Sequence, residues 1–145
     1  ELCGKEHGFM PIVVRVVAAE DYSKWVGEQK NAMAASAEDP SKTWSAQELV
    51  ERGEKVYAAN CVACHQASGK GAPPAFPALA GSKVVNGAKR VQIDLVLNGR
   101  PNTAMAAFGK QLSDADLAAV LSFTRGAWGN KAGEVQPAEV KARRK

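Results

Sequence analysis

A chain of 145 residues can hold one domain of ordinary size with appendages, and its 46% hydrophobic and 23% charged composition excludes wholesale disorder. No apolar run reaches the roughly 18 residues needed to span a bilayer; the longest, Pro11 to Ala19, is interrupted by Arg15. The formal charge of +4 divides into −3 over residues 1–40, +4 over 41–130 and +3 over 131–145, so a basic face can steer an acidic partner, while the absence of a basic stripe interleaved with aromatics argues against nucleic acid.

The first 25 residues differ in texture from the rest. The β-branched run Ile12-Val13-Val14-Arg15-Val16-Val17 predicts a strand. Just before it stand Cys3, His7 and Met10, a thiol, an imidazole and a thioether, which together make a soft ligand set suited to copper. On spacing alone a stray thiol, a surface histidine and a core methionine account for them equally well. The chain begins without methionine and without a basic region followed by an apolar one, and so reads as a fragment or a processed product.

The segment Glu1-Leu2-Cys3-Gly4-Lys5-Glu6-His7-Gly8-Phe9-Met10, with the valine strand and Tyr22-Ser23-Lys24-Trp25 after it, resembles the end of the dinuclear-copper (CuA) domain of subunit II of haem-copper cytochrome c oxidases. The resemblance implies a backbone carbonyl ligand from Glu1, a bridging thiolate from Cys3, an imidazole from His7 and a thioether from Met10. The family's first cysteine would lie two residues before Glu1 and its other histidine further upstream. The expectation is therefore an incomplete copper remnant, with copper bound only in an intact parent.

Residues 26–43 predict a linker: Asn31 to Ala37 is small and featureless, its alanines leaving a transient helix open, and Glu38-Asp39-Pro40-Ser41 is a turn cluster. Met33 lacks surroundings that could wall a metal. Ser45 with Glu48 forms a capping box that opens a helix. Leu49, Gly53, Val56, Tyr57 and Asn60 give it one inward stripe leading into Cys61. Gly53 is costly inside a helix unless another backbone comes close, which predicts a helix crossing.

Cys61-Val62-Ala63-Cys64-His65 is the spacing of a c-type haem attachment site, with two thiols to bond the porphyrin and an adjoining imidazole to reach the iron. A redox dithiol would want a βαβ context, which is absent, and zinc would need two further ligands, whereas only Cys3 and His7 remain. The run from Ser68 to Ser82 is too rich in glycine and proline for helix or strand and predicts a rigid loop. Such a loop can offer a carbonyl to a ligating histidine's second ring nitrogen, with Phe76 and Leu79 as apolar cover.

A further helix is predicted from about Ala88 to Leu97, stopped by Asn98-Gly99-Arg100-Pro101. The next loop carries Met105 and Phe108 and has no histidine nearby. By elimination Met105 is the candidate sixth ligand; otherwise it is core and the iron is five-coordinate. Ser113 with Asp116 suggests a second capping box, opening a last helix whose stripe is Leu117, Val120, Leu121 and Thr124. Gly126 to Asn130 ends it. Residues 131–145 read as a basic, solvated tail.

Residues 44–130 resemble class I cytochromes c: C-V-A-C-H, Pro77-x-Leu79, Met105-x-x-Phe108 and the run from Leu112 to Arg125 fall in that family's order. The resemblance implies an all-α fold of three main helices around a covalent haem, with Cys61 and Cys64 in thioether bonds and His65 and Met105 on the iron. It also implies a Pro77 carbonyl accepting from His65, and Gly53 and Tyr57 crossing the last helix near Val120 and Phe123. Ala106 departs from the proline many members have after the methionine, which implies a looser loop.

Together the resemblances imply a subunit II whose copper domain is fused to a cytochrome c, as in caa3-type oxidases. Electrons would come from a cytochrome c or a quinol-oxidising complex and pass to CuA and then subunit I. The implied place is the periplasmic or extracytoplasmic face, with membrane anchors in the parent and no catalytic site in this segment. A free-standing or dehydrogenase-linked cytochrome is the alternative, and a haem sensor or peroxidase with an open iron site a third.

Overall fold

The computed structural model describes residues 14–35 and 42–144. The chain divides into two units, Glu1–Ala37 and Glu38–Lys145. In the first, α1 spans Ala19–Ala35. Glu20 and Asp21 in its first turn complement the helix dipole, and straight-chain residues and alanines carry it onward. Residues 26–35, within the segment expected to be a linker, are helical, and the alanines among them are strong helix formers.

The predicted strand does not form over its described part. Val14 to Val17 belong to no ladder, and Val14 and Val16 are 81% and 96% exposed. A single strand without a partner has no hydrogen bonds to gain. Ile12 and Val13 lie outside the described residues. Among the described residues there is no sheet, only an isolated bridge between Ala72 and Phe76.

The second unit is built on the crossing of two helices, α2 (Ala46–Asn60) and α5 (Asp114–Gly126), with the one-turn α3 (Val62–His65), α4 (Lys89–Asn98) and α6 (Pro137–Lys141) around them. Ser45 caps α2 in a full capping box: its hydroxyl accepts from the Glu48 N–H, and the Glu48 carboxylate accepts from the Ser45 N–H at 2.9 Å. Those bonds to Ser45, with Lys42 beside them, hold the Glu48 pKa down at about 2. At α5 the reciprocal half is missing. Ser113 accepts from the Asp116 N–H, but the Asp116 carboxylate takes the Ser113 hydroxyl at 2.7 Å and Arg52 on α2 at 2.8 Å.

Gly53 faces α5 with no room for a side chain: a Cβ there would lie 2.1 Å from the Ala119 carbonyl oxygen and 2.7 Å from the Phe123 Cβ. Ala118 and Ala119 are fully buried, so small residues on both helices set the close approach. One turn on, Tyr57, Phe123 and Trp128 pack as a trio with ring centroids 5.1–5.4 Å apart. The core around the crossing is Leu49, Ile93, Leu97, Leu117 and Leu121.

Residues 131–144 are not a solvated tail. Val135 and Val140 are fully buried in the same core, and α6 packs on α5. The Val135 N–H donates to Ser122 Oγ at 2.8 Å. The Gln136 side chain pairs with the Trp44 main chain through two bonds of 2.9 and 3.0 Å, stapling the start of α2 to α6. Lys89 pairs with Glu139, Arg143 with Asp94 and Arg144 with Asp114. The basic side chains reach acids on neighbouring elements while the valines turn inward, which a reading of charge alone misses.

Arg125 sits at the centre of this end of the fold, 3% exposed. Its Nε and two terminal nitrogens donate to the carbonyls of Gly133, Val85, Gly87 and Ala132 and to Gln92 Oε1. Burial lowers its pKa, against the opposing effect of Glu139. Five acceptors match the five guanidinium donors, so the charge is solvated by backbone.

Candidate functional site

The end of α2 delivers the first thiol. Cys61 closes the helix with its N–H on the Tyr57 carbonyl at 2.9 Å, and its own carbonyl accepts from Cys64 and His65 at 3.2 and 2.9 Å. That single turn, α3, brings Cys61, Cys64 and His65 to the wall of one cavity. Both cysteines are free and partly buried. Burial, with Cys64 close by, pushes the Cys61 thiol up to about 11, so it stands as a neutral S–H.

The loop after His65 orients its ring. His65 Nδ1 lies 3.0 Å from the Pro77 carbonyl oxygen, and the residue is 9% exposed. Gly71 permits that approach: it has a φ of +61°, and a Cβ there would lie 2.3 Å from the Phe76 carbonyl and 2.7 Å from that of Pro77. The Gly71 N–H donates to the His65 carbonyl at 3.0 Å, and Ala72 and Phe76 bond each other through 2.8 and 3.0 Å contacts. With Nδ1 given to a carbonyl, the tautomer is set and Nε2 carries the free lone pair. Trp128 covers the same loop, its indole N–H on the Ala67 carbonyl at 3.0 Å.

The cavity has two lobes, of about 440 and 180 Å³, the larger in the range of ligand sites. His65, Met105, Leu95, Phe108 and Arg100 line both. Met105 is fixed by its backbone: its carbonyl accepts from the Arg100 N–H at 3.0 Å and its N–H donates to Thr103 Oγ1 at 3.2 Å. Beyond it, Phe108 and Gly109 donate to the Val96 and Leu97 carbonyls, both at 3.0 Å. The expected looseness at Ala106 is thus met by bonds on either side of it. Gly99, at a φ of +69°, lets the strand of chain carrying Met105 close over it.

Tyr57 lines the smaller lobe and donates to the Gln66 carbonyl at 2.7 Å. Burial, then the neighbouring Cys61, raises its pKa to about 12. Gln92 and Thr124 also line that lobe and bond each other at 3.0 Å; Gln92 in turn meets Arg125. Sequence reading passed over Gln92, Arg100 and Arg125. The signal available was a charged residue set directly after the apolar stripe of α5.

Two thiols, an imidazole with a committed Nδ1, a thioether and an apolar wall fit a covalently attached c-type haem. Zinc does not fit: among the described residues no three His, Cys, Asp or Glu side chains are placed to hold a metal ion. Glu1, Cys3, His7 and Met10, the expected copper remnant, lie outside the described residues, as does Pro40. Among the described residues no helix is long and apolar enough to cross a membrane.

The fold and this site define a c-type cytochrome domain with electron-transfer function. Residues 48–123 match the family model described as cytochrome c oxidase, cbb3-type, subunit III, and the chain belongs to that family. It is 37% identical over 99 residues to the cytochrome c subunit of a quinone alcohol dehydrogenase from Gluconobacter oxydans, covering 61% of this chain but 21% of that protein. It is 37% identical over 92 residues to cytochrome c-552 of Thermus thermophilus, covering 54% of this chain and 69% of that protein. A shorter stretch of 39 residues is 54% identical to a probable cytochrome c oxidase subunit 2 from Rickettsia bellii, covering 27% of this chain and 14% of that protein. The chain thus spans about a fifth of the dehydrogenase subunit's length.

Proposed function

We propose that this domain is the cytochrome part of a haem-copper oxidase subunit II of the caa3 type, passing electrons from a donor toward a CuA centre. The observation that carries electron transfer is the cavity into which Cys61, Cys64, His65 and Met105 converge, with His65 Nδ1 at 3.0 Å from Pro77. A bound c-type haem supplies a one-electron iron couple. The chain's residues would do the rest: the Cys61 and Cys64 thiols would anchor the group, the Pro77 carbonyl steadies His65, His65 and Met105 would offer nitrogen and sulfur to its iron, and Leu95, Phe76 and Phe108 would keep water away. Histidine with methionine favours the ferrous state relative to two nitrogens.

The oxidase assignment is supported by Glu1 to Met10 and by the subunit 2 relative's 39-residue match. On it, the domain faces the periplasm and its parent is held at the membrane by residues outside this sequence. The second reading, a dehydrogenase cytochrome subunit, is favoured by the 99-residue match to the alcohol dehydrogenase subunit.

Isolating the natural polypeptide from membranes separates the two. Copper and haem c in one chain, co-isolating with an oxygen-reducing subunit, is the expected result. Haem c without copper, beside a quinone-linked dehydrogenase subunit, would overturn it. Rapid binding of carbon monoxide or cyanide at neutral pH to the haem c of the polypeptide separated from any oxygen-reducing subunit would instead indicate an open-site sensor or peroxidase.

A further inference from the structure

We propose that Arg144 is a positioning residue for Met105: from the end of α6 it pins the returning half of the loop that carries Met105 and so keeps the sixth iron position closed. This rests on the haem reading above, with Met105 as the axial thioether. Residues 48–123 match the family model and α6 lies beyond them, so the pin comes from a segment outside the matched region.

From Met105 the chain returns to α5 through Phe108 and Leu112, which line the smaller lobe together with Met105. One set of bonds ties this return to α4, the Phe108 and Gly109 N–H groups on the Val96 and Leu97 carbonyls. Arg144 ties it to α6. Its Nη1 donates to the Gly109 carbonyl, its Nη2 to the Leu112 carbonyl at 3.1 Å and its Nε to Asp114 Oδ1 at 2.7 Å. One planar fork thus fixes three points between Gly109 and the first residue of α5. Gly109 has no side chain to pack, so its place is set by main-chain bonds, the N–H to Leu97 and the carbonyl to Arg144. The Arg144 side chain is 31% exposed, and its charge strengthens these bonds. The post is itself anchored, by the buried Val140 and by Gln136 on the Trp44 main chain. For the thioether to leave the iron the return has to shift, and Arg144 resists that shift without lining either lobe. The neighbouring Arg143 carries the same charge but gives its Nε to Asp94 on α4 at 2.8 Å.

The test uses the full chain, covalently loaded, and the variants Arg144→Ala and Arg143→Ala, which lose the same charge from adjacent positions. Two readouts are taken: the pH at which the ferric protein loses its iron–methionine charge-transfer band, and the rate at which carbon monoxide binds the ferrous protein. In Arg144→Ala the band is expected to vanish about one pH unit lower and carbon monoxide to bind about tenfold faster, the scale of one or two lost charge-assisted hydrogen bonds. Arg143→Ala is expected to match the parent in both. Parent-like behaviour of Arg144→Ala would overturn the inference. Equal changes in the two variants would also overturn it, by assigning the effect to lost charge or to α6 as a whole. A parent protein with covalent haem by its haemochrome spectrum but without the charge-transfer band would overturn the Met105 ligation, and the inference with it. Absence of covalent haem would overturn the haem reading itself.

Discussion

At the scale of single residues, the attachment motif was legible because its chemistry is local. Cys61, Cys64 and His65 sit within one turn, so their spacing in sequence is nearly their arrangement in space. Met105 was reachable only by elimination, since forty residues separate it from His65 and nothing in its neighbourhood names its role. What the sequence hid was Arg125, whose partners Val85, Gly87 and Gln92 come from a distant segment and Ala132 and Gly133 from the turn after its own helix, most of them acting through carbonyls that every residue has. For Met105 the expected consequence is specific. Met105→Ala should lower the midpoint potential and let carbon monoxide bind the ferrous protein, because loss of the thioether opens the sixth site. An unchanged optical spectrum and no carbon monoxide binding would return Met105 to the core.

At the scale of elements, the helix starts and the crossing were readable, because caps and small residues announce themselves. Gly53 was out of place for a helix interior, and the structure explains it by the Ala119 carbonyl 2.1 Å from where a Cβ would stand. Gly53→Ala gains about 1 kcal/mol of helix propensity, but it forces backbone apart, and overpacking costs about 1–3 kcal/mol. With backbone as the obstacle the upper end applies, so a net loss of about 1–2 kcal/mol in denaturant unfolding is expected. The capping box gives a pH-dependent prediction. Glu48 protonates at about 2 in the folded protein against 4.5 ordinarily, so between these values the unfolded chain binds more protons. Its stabilisation is complete above pH 4.5 and is lost as pH falls toward 2. Glu48→Gln should therefore flatten the acid limb of the stability profile in that window while leaving the slope above it unchanged. Parallel acid limbs in the two proteins would show that the carboxylate contributes nothing.

At the scale of the whole molecule, the error in reading residues 131–145 concerns what closes the cytochrome unit. Five basic residues in fifteen look like a solvated end, yet two valines five positions apart are enough to bury one face of a short helix. Charge and burial are carried by different side chains of the same segment: Arg144 reaches Asp114 and the Gly109 and Leu112 carbonyls while Val140 enters the core. The segment therefore ties α5, the loop beyond Met105 and the start of α2 together, although none of its residues lines the lobes that hold His65 and Met105. Ending the chain after Glu134 keeps both carbonyls that this region gives to Arg125, those of Ala132 and Gly133, and removes Val135, Gln136 and Val140. Two fully buried valines contribute about 3 kcal/mol or more, and the surface ion pairs add little. The shortened protein should still carry covalent haem but unfold at markedly lower denaturant, with Leu117 and Leu121 exposed to a hydrophobic dye. Equal unfolding midpoints in the two forms would mean that α6 rests on the core without stabilising it.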